Sequence, residues 1–228
     1  MAGQGAPLDA CGQPLDGIDF TGKRFASQAA GVEMARSQPD IWIVRHGETE
    51  WSRTGQHTGR TYISLTASGE REAVALRQQL GGHRFSLVLS SPLVRARETC
   101  RIAGYGDVAR VTDDLLEWDY GSYEGRTGDD IREQVPGWLI WTDGVPGGET
   151  VEQVGLRAGR VIDQATQASG DVALFAHGHV LRILAARWIG LSPREGRLFA
   201  LDTASIGILG HENGARVVRA WNLKLGAP

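Results

Sequence analysis

The chain has 228 residues, 41% hydrophobic and 22% charged, with a formal net charge of −3. A chain of this size and balance can bury a core of its own, and its charge excludes a global basic field for nucleic acid or an anionic membrane. Any anion site must therefore be a local cluster of positive charge, no apolar run is long enough to span a bilayer, and the two cysteines, Cys11 and Cys100, make no disulfide framework and point to a reducing, cytoplasmic setting.

Residues 1–40 are rich in Gly, Ala and Gln and carry no clear hydrophobic period. They are read as a flexible N-terminal arm. There is no basic start followed by an apolar core, and Asp9, Asp16 and Asp19 disfavour a transit peptide. Met34 lies shortly before the first strand and is a candidate start, so removal of residues 1–33 is expected to leave activity intact. One folded domain is expected over 41–222, with a short tail at 223–228.

Within that domain, Ile41–Val44 is short, apolar and β-branched, the pattern of a buried strand. Leu65 to Gly69 leads into a helix of about a dozen residues with Ala73, Leu76 and Leu80 on one face. Phe85–Leu89 is a second strand. Ser91 is expected as an N-cap with Pro92 opening a helix that turns Val94, Cys100 and Ile102 inward. A polar loop with Glu117, Asp119, Gly121 and Gly125 follows, then helices near 128–141 and 149–168. Val172–Ala176 is a third strand, followed by a helix from about Val180 to Ile189. Two last strands, 204–210 and 215–221, meet at the turn Glu212-Asn213-Gly214. This alternation predicts a three-layer α/β/α sandwich, mostly parallel, with an antiparallel edge strand and a small helical cap.

Three strands end in chemically rich sequence. The first runs into Arg45-His46-Gly47, the second into Ser90-Ser91-Pro92 with Arg95 one turn later, the third into His177-Gly178-His179. Parallel sheets bind ligands at the carboxyl ends of their strands, so Arg45, His46, Arg95 and His177 should share one pocket. Two guanidinium forks and two imidazoles there suit a small polyanion, with helix N-termini near Pro92 and Gly178 adding N–H donors.

The segments Arg45-His46-Gly47-Glu48-Thr49, Ser91-Pro92-Leu93-Val94-Arg95-Ala96, Leu116-Glu117-Trp118-Asp119-Tyr120-Gly121 and Ala176-His177-Gly178 resemble, in order, the motifs of the histidine phosphatase superfamily, the phosphoglycerate-mutase-like kind. The resemblance covers about residues 41–210. It implies that His46 is a neutral nucleophile forming a phosphohistidine. Arg45, Arg95 and His177 would hold the equatorial oxygens. Glu117 would protonate the leaving alkoxide and then activate water, its proton affinity expected to be raised by partial burial beside Trp118 and by the substrate's negative charge. Many relatives carry Asn where Ser52 stands, so Thr58 and the backbone near Gly59 are expected to supply replacement donors. Tyr120 and Gly178 complete the expected substrate contacts. The pattern Trp51-Ser52-x-x-Gly55-x-x-Thr58-Gly59, with Phe175-Ala176-His177-Gly178-His179, is similar to a branch holding fungal sedoheptulose-1,7-bisphosphatase and bacterial broad-specificity phosphatases. The implied substrate is a small phosphate ester such as a sugar phosphate or bisphosphate, turned over with no cofactor and no metal.

Other readings are weighed beside this one. A phosphoglycerate mutase would carry a long insertion after the acid motif, and the stretch from Gly121 to Gly148 is short, which favours water entry and hydrolysis. His177 and His179 could mark a metal hydrolase, yet no acidic cluster adjoins them, and His179 is expected to cap or pack its helix. A phosphate-binding module without turnover is the non-enzymatic alternative. Trp138 and Trp141 are weighed as a sugar platform against core packing, and Arg60, Arg126 and Arg132 as second-phosphate contacts against solvated surface. A homodimer is compatible with the sequence, which leaves the oligomeric state open.

Overall fold

A computed structural model describes residues 38–224. Of the expected arm at 1–40 only 38–40 are described, and of the expected tail at 223–228 only Leu223 and Lys224, while the candidate start at Met34 lies outside the described residues.

The described chain runs β1 (Ile41–Arg45), α1 (Glu50–Thr54), α2 (Ala67–Leu80), β2 (Leu87–Ser90), α3 (Val94–Ile102), β3 (Arg110–Val111), α4 (Gly128–Gln134), α5 (Ile140–Asp143), α6 (Val151–Thr166), β4 (Val172–Ala176), α7 (Gly178–Trp188), β5 (Ile206–Glu212) and β6 (Ala215–Leu223). The strands form one six-stranded sheet in the order β3-β2-β4-β1-β5-β6. The first four are mutually parallel, and β5 and β6 add an antiparallel edge, as the sequence predicts.

Strand alternation sets the two flanking layers. Ile41, Ile43, Val172 and Leu174 pack in the core with α6 and α7, while Val44, Ala173 and Phe175 pack with α2 and α3. Apolar side chains on both faces explain why β4 is buried along its whole length. No helix among the described residues is long and apolar enough to cross a membrane.

Several boundaries differ from expectation. The helix after β2 begins at Val94 with Leu93 as its cap, so Pro92 lies outside it and Ser91 is not its N-cap. Its buried residues are Arg95, Ala96, Thr99 and Cys100, whereas Val94 and Ile102 are only half-buried. The helix expected near 128–141 divides into α4 and α5, broken at Val135-Pro136-Gly137, where proline cannot continue the hydrogen-bond ladder. The helix after β4 starts at Gly178, earlier than Val180, with His177 at its cap position. The two-residue strand β3 is too short to leave a periodic signal.

Candidate active site

Register brings the site together. Arg45 pairs with Ala176 across β1 and β4, and Ser90 pairs with Phe175 across β2 and β4. One residue past those ends, the His46 amide donates to Ala176 O (3.0 Å) and the Ser91 amide to Phe175 O (2.9 Å). His46, Ser91 and His177 therefore emerge side by side. The His46 and His177 rings are 5.2 Å apart between centroids, and Nε of Arg95 donates to Nδ1 of His177 at 3.1 Å. The expected gathering of Arg45, His46, Arg95 and His177 is present in this geometry.

The His46 ring is oriented by its neighbours. Nδ1 lies 2.7 Å from Gly47 O, a carbonyl that can only accept, so Nδ1 carries the proton and Nε2 keeps its lone pair. The Gly47 peptide is fixed in turn by Thr99, whose Oγ1 accepts the Gly47 N–H (3.0 Å) and donates to Arg95 O (2.7 Å). Gly47 must be glycine, because a Cβ there would lie 2.4 Å from the carbonyl oxygen of Gly69 at the start of α2. Burial, then Arg95 and Arg45, push the His46 pKa well below the ordinary imidazole value. Burial and the same guanidinium groups lower His177 likewise.

A cleft of about 200 Å³ opens over this cluster, lined among others by Arg45, His46, Glu117, Tyr120, His179 and Arg182. Thr58 and Gly178 also line it. Nε of Arg45 is buried without a partner among the described residues, while its Nη1 donates to Leu201 O at 2.5 Å. Arg95 and His177 lie behind the lining. Arg95 is fully buried, with Nη1 on Thr61 O and Nη2 on Thr58 O and Gly59 O. Since Nδ1 of His177 accepts from Arg95, its Nε2 carries the proton and donates to Ser91 Oγ (2.7 Å).

Glu117 lines the cleft beside Trp118. Its carboxylate is buried, but Oε1 accepts the N–H groups of Trp118 (2.9 Å) and Val180 (3.0 Å), and Oε2 accepts that of His179 (3.0 Å). Two N–H groups in the first turn of α7 are thus committed to Glu117 rather than open to an anion, a use of the positive helix end that the sequence reading assigned to phosphate. Gly59 also differs: its amide donates to Glu124 (2.9 and 3.0 Å) and its carbonyl holds Arg95, so it braces the site and does not line the cleft. Ser52 lines the cleft, yet its hydroxyl is engaged with Thr49 in the capping box of α1. Tyr120 lines the cleft but is only 2% exposed.

The family model described as "Histidine phosphatase superfamily (branch 1)" matches residues 41–224. The chain belongs to that superfamily. Among histidine phosphatases it is 46% identical over 187 residues to an acid phosphatase of Mycobacterium tuberculosis, covering 80% of this chain and 92% of the relative. It is 38% identical over 189 residues to the sedoheptulose 1,7-bisphosphatase of Saccharomyces cerevisiae, covering 69% and 70%. A solved structure of an open reading frame product from Mycobacterium tuberculosis superposes with a TM-score of 0.78 at 44% identity, covering 82% of this chain and 98% of that one.

Within this histidine phosphatase, the bland readings hold for several residues the sequence raised. Trp138 and Trp141 are buried and lie outside the cleft lining. Arg60 faces Asp119 and Glu149, Arg126 binds Gln134 and the Asp130 carbonyl, and Arg132 pairs with Asp129. The sequence reading missed Arg182 as a cleft residue, although it stands four positions after Gly178 and so on the same face of α7. It also missed Leu201 and His57, which no spacing marks. Among the described residues no group of three or more His, Cys, Asp or Glu is placed to hold a metal ion.

Proposed function

We propose that this hydrolase is a metal-independent phosphomonoesterase that transfers the phosphoryl group of a sugar phosphate or bisphosphate to Nε2 of His46 and then to water. The observation that carries the reading is the His46 ring itself. It is neutral, with its proton on Nδ1 held by Gly47 and its free nitrogen in a cleft shared with an unpartnered Arg45 Nε. A lone pair beside cationic donors fits in-line attack on a phosphorus bearing negative oxygens.

The roles follow from the surrounding bonds. Arg45 takes equatorial oxygens through its free Nε–H. His177 turns its Nε2–H from Ser91 to an equatorial oxygen, and Arg95 holds His177 and the 58–61 loop while adding positive charge behind the phosphoryl group. Glu117, anchored at the start of α7, delivers a proton to the leaving oxygen and recovers it from the attacking water. Arg182, a further cation of the cleft lining that is held over Trp141 and on the Gly196 and Arg197 carbonyls, draws a second anionic group by its charge, the reason for favouring a bisphosphate; a relative carries the name sedoheptulose 1,7-bisphosphatase.

A phosphate-release screen over sugar bisphosphates, sugar monophosphates and phosphoglycerates tests this reading. Wild type should release phosphate with chelator present, His46→Ala should fold and release none, and Arg182→Ala should lose roughly tenfold in kcat/KM on bisphosphates. Undiminished turnover by His46→Ala, or fast isomerisation of 3-phosphoglycerate with little free phosphate, contradicts it.

A further inference from the structure

One wall of the cleft carries a pair of side chains with no part in the steps above. The Tyr120 hydroxyl lies 2.6 Å from Nδ1 of His179. Tyr120 is buried, and a buried phenol proton without an acceptor is costly, so the phenol donates to Nδ1. Burial holds the Tyr120 pKa well up and the His179 pKa well down, which leaves both groups neutral. A neutral imidazole that accepts at Nδ1 carries its proton on Nε2.

The ring has little freedom. It packs 5.1 Å from Trp141 and stands perpendicular to Trp118 at 5.9 Å, and its own backbone N–H is bonded to Glu117. His179 is half-buried, and it lines the cleft together with Glu117 and Arg182. His57 closes the same wall, 6.2 Å from His179 between ring centroids, with a pKa lowered to about 4 by burial and Arg132. Beyond the cationic floor, the cleft therefore presents neutral imidazoles.

We propose that His179 is a specificity-determining residue whose Nε2–H donates to a hydroxyl of the leaving alcohol, and that Tyr120 is the positioning residue that fixes its tautomer. The proposal rests on the phosphatase reading and adds recognition of the leaving group to it. Arginines beside the phosphoryl group hold every phosphate ester alike. A fixed neutral donor further along favours a polyol ester over one whose alcohol carries no hydroxyl.

The test compares kcat/KM for fructose 1,6-bisphosphate and phenyl phosphate in wild type, His179→Phe, His179→Gln and Tyr120→Phe, with 15N-histidine NMR on wild type and Tyr120→Phe. The ratio of the two constants should fall about tenfold in His179→Phe. It should recover in part in His179→Gln, which keeps an N–H donor, and fall less in Tyr120→Phe. The NMR should show His179 as the Nε2–H tautomer in wild type and as a tautomer mixture in Tyr120→Phe, a change that a purely structural role would not produce. An unchanged ratio in the folded variants, or a wild-type ring protonated on Nδ1, overturns the proposal while leaving the phosphatase reading intact. A wild type inert toward both esters contradicts that reading as well.

Discussion

His46 and His177 are set by main-chain bonds at the ends of paired strands, whereas Glu117 and the 57–61 loop are set by buried side chains. On the strand side, β1, β2 and β4 fix position through register alone, and the amides of His46 and Ser91 continue the ladder. On the loop side, Arg157 reaches from α6 to the carbonyls of Asp114 and Leu116 while pairing twice with Glu149 (2.9 and 3.0 Å). Glu149 in turn accepts the Asp119 amide at 3.0 Å, and Trp118 donates to the Glu149 carbonyl at 2.8 Å. Arg95 and Glu124 do the same work for residues 58–61. The nucleophile's place thus depends on the sheet as a whole, while the acid's place depends on a few ionic side chains.

That contrast can be broken residue by residue. The largest effect is expected at the acid itself. Glu117→Gln should lower kcat on alkyl phosphates by about 10²–10⁴-fold, and by less on p-nitrophenyl phosphate, whose leaving group needs no proton. Equal losses on both esters would remove Glu117 from the proton-donor role. Next comes its support. Arg157→Met takes from Glu149 its nearest cation and leaves the Asp114 and Leu116 carbonyls without their donor, so stability should drop by about 1–3 kcal/mol, read as a lower midpoint in denaturant. A midpoint within error of wild type would show that the loop holds without its ionic clamp.

The smallest effect is a shared one. His46, His57, His177 and His179 all have lowered pKa values in the folded chain, His57 to about 4. Unfolded histidine titrates near pH 6.5, so between that pH and the folded values the unfolded state binds more protons. The stability from keeping these rings neutral is complete above about pH 6.5 and is lost as pH falls toward the folded values. Tm should therefore decline between pH 7 and pH 5. A flat profile there would contradict the burial of neutral imidazoles at the site.

The strand-borne half of the cleft was legible in the sequence because its signals are local: apolar runs, each followed at once by its chemical residue. Arg45, His46 and His177 needed only the rule that parallel strands end at a shared edge. Glu117 was legible only through resemblance, since nothing in a polar loop distinguishes it from Asp119 or Glu124. Its three backbone donors come from Trp118 and from α7, sixty-odd positions along the chain, and no local pattern announces them. The helix break is readable from Pro136 itself, although the expected helix near 128–141 runs across it. The commitment of Gly59 and Ser52 to bracing depends on partners that only the fold supplies.

The covalent step is tested most directly by trapping it. Wild type mixed with a 32P-labelled sugar phosphate, quenched in alkaline denaturant during turnover and digested, should carry the label on the peptide containing His46, stable to base and lost in acid. Label on another residue, or steady phosphate release with none on that peptide, would contradict the account.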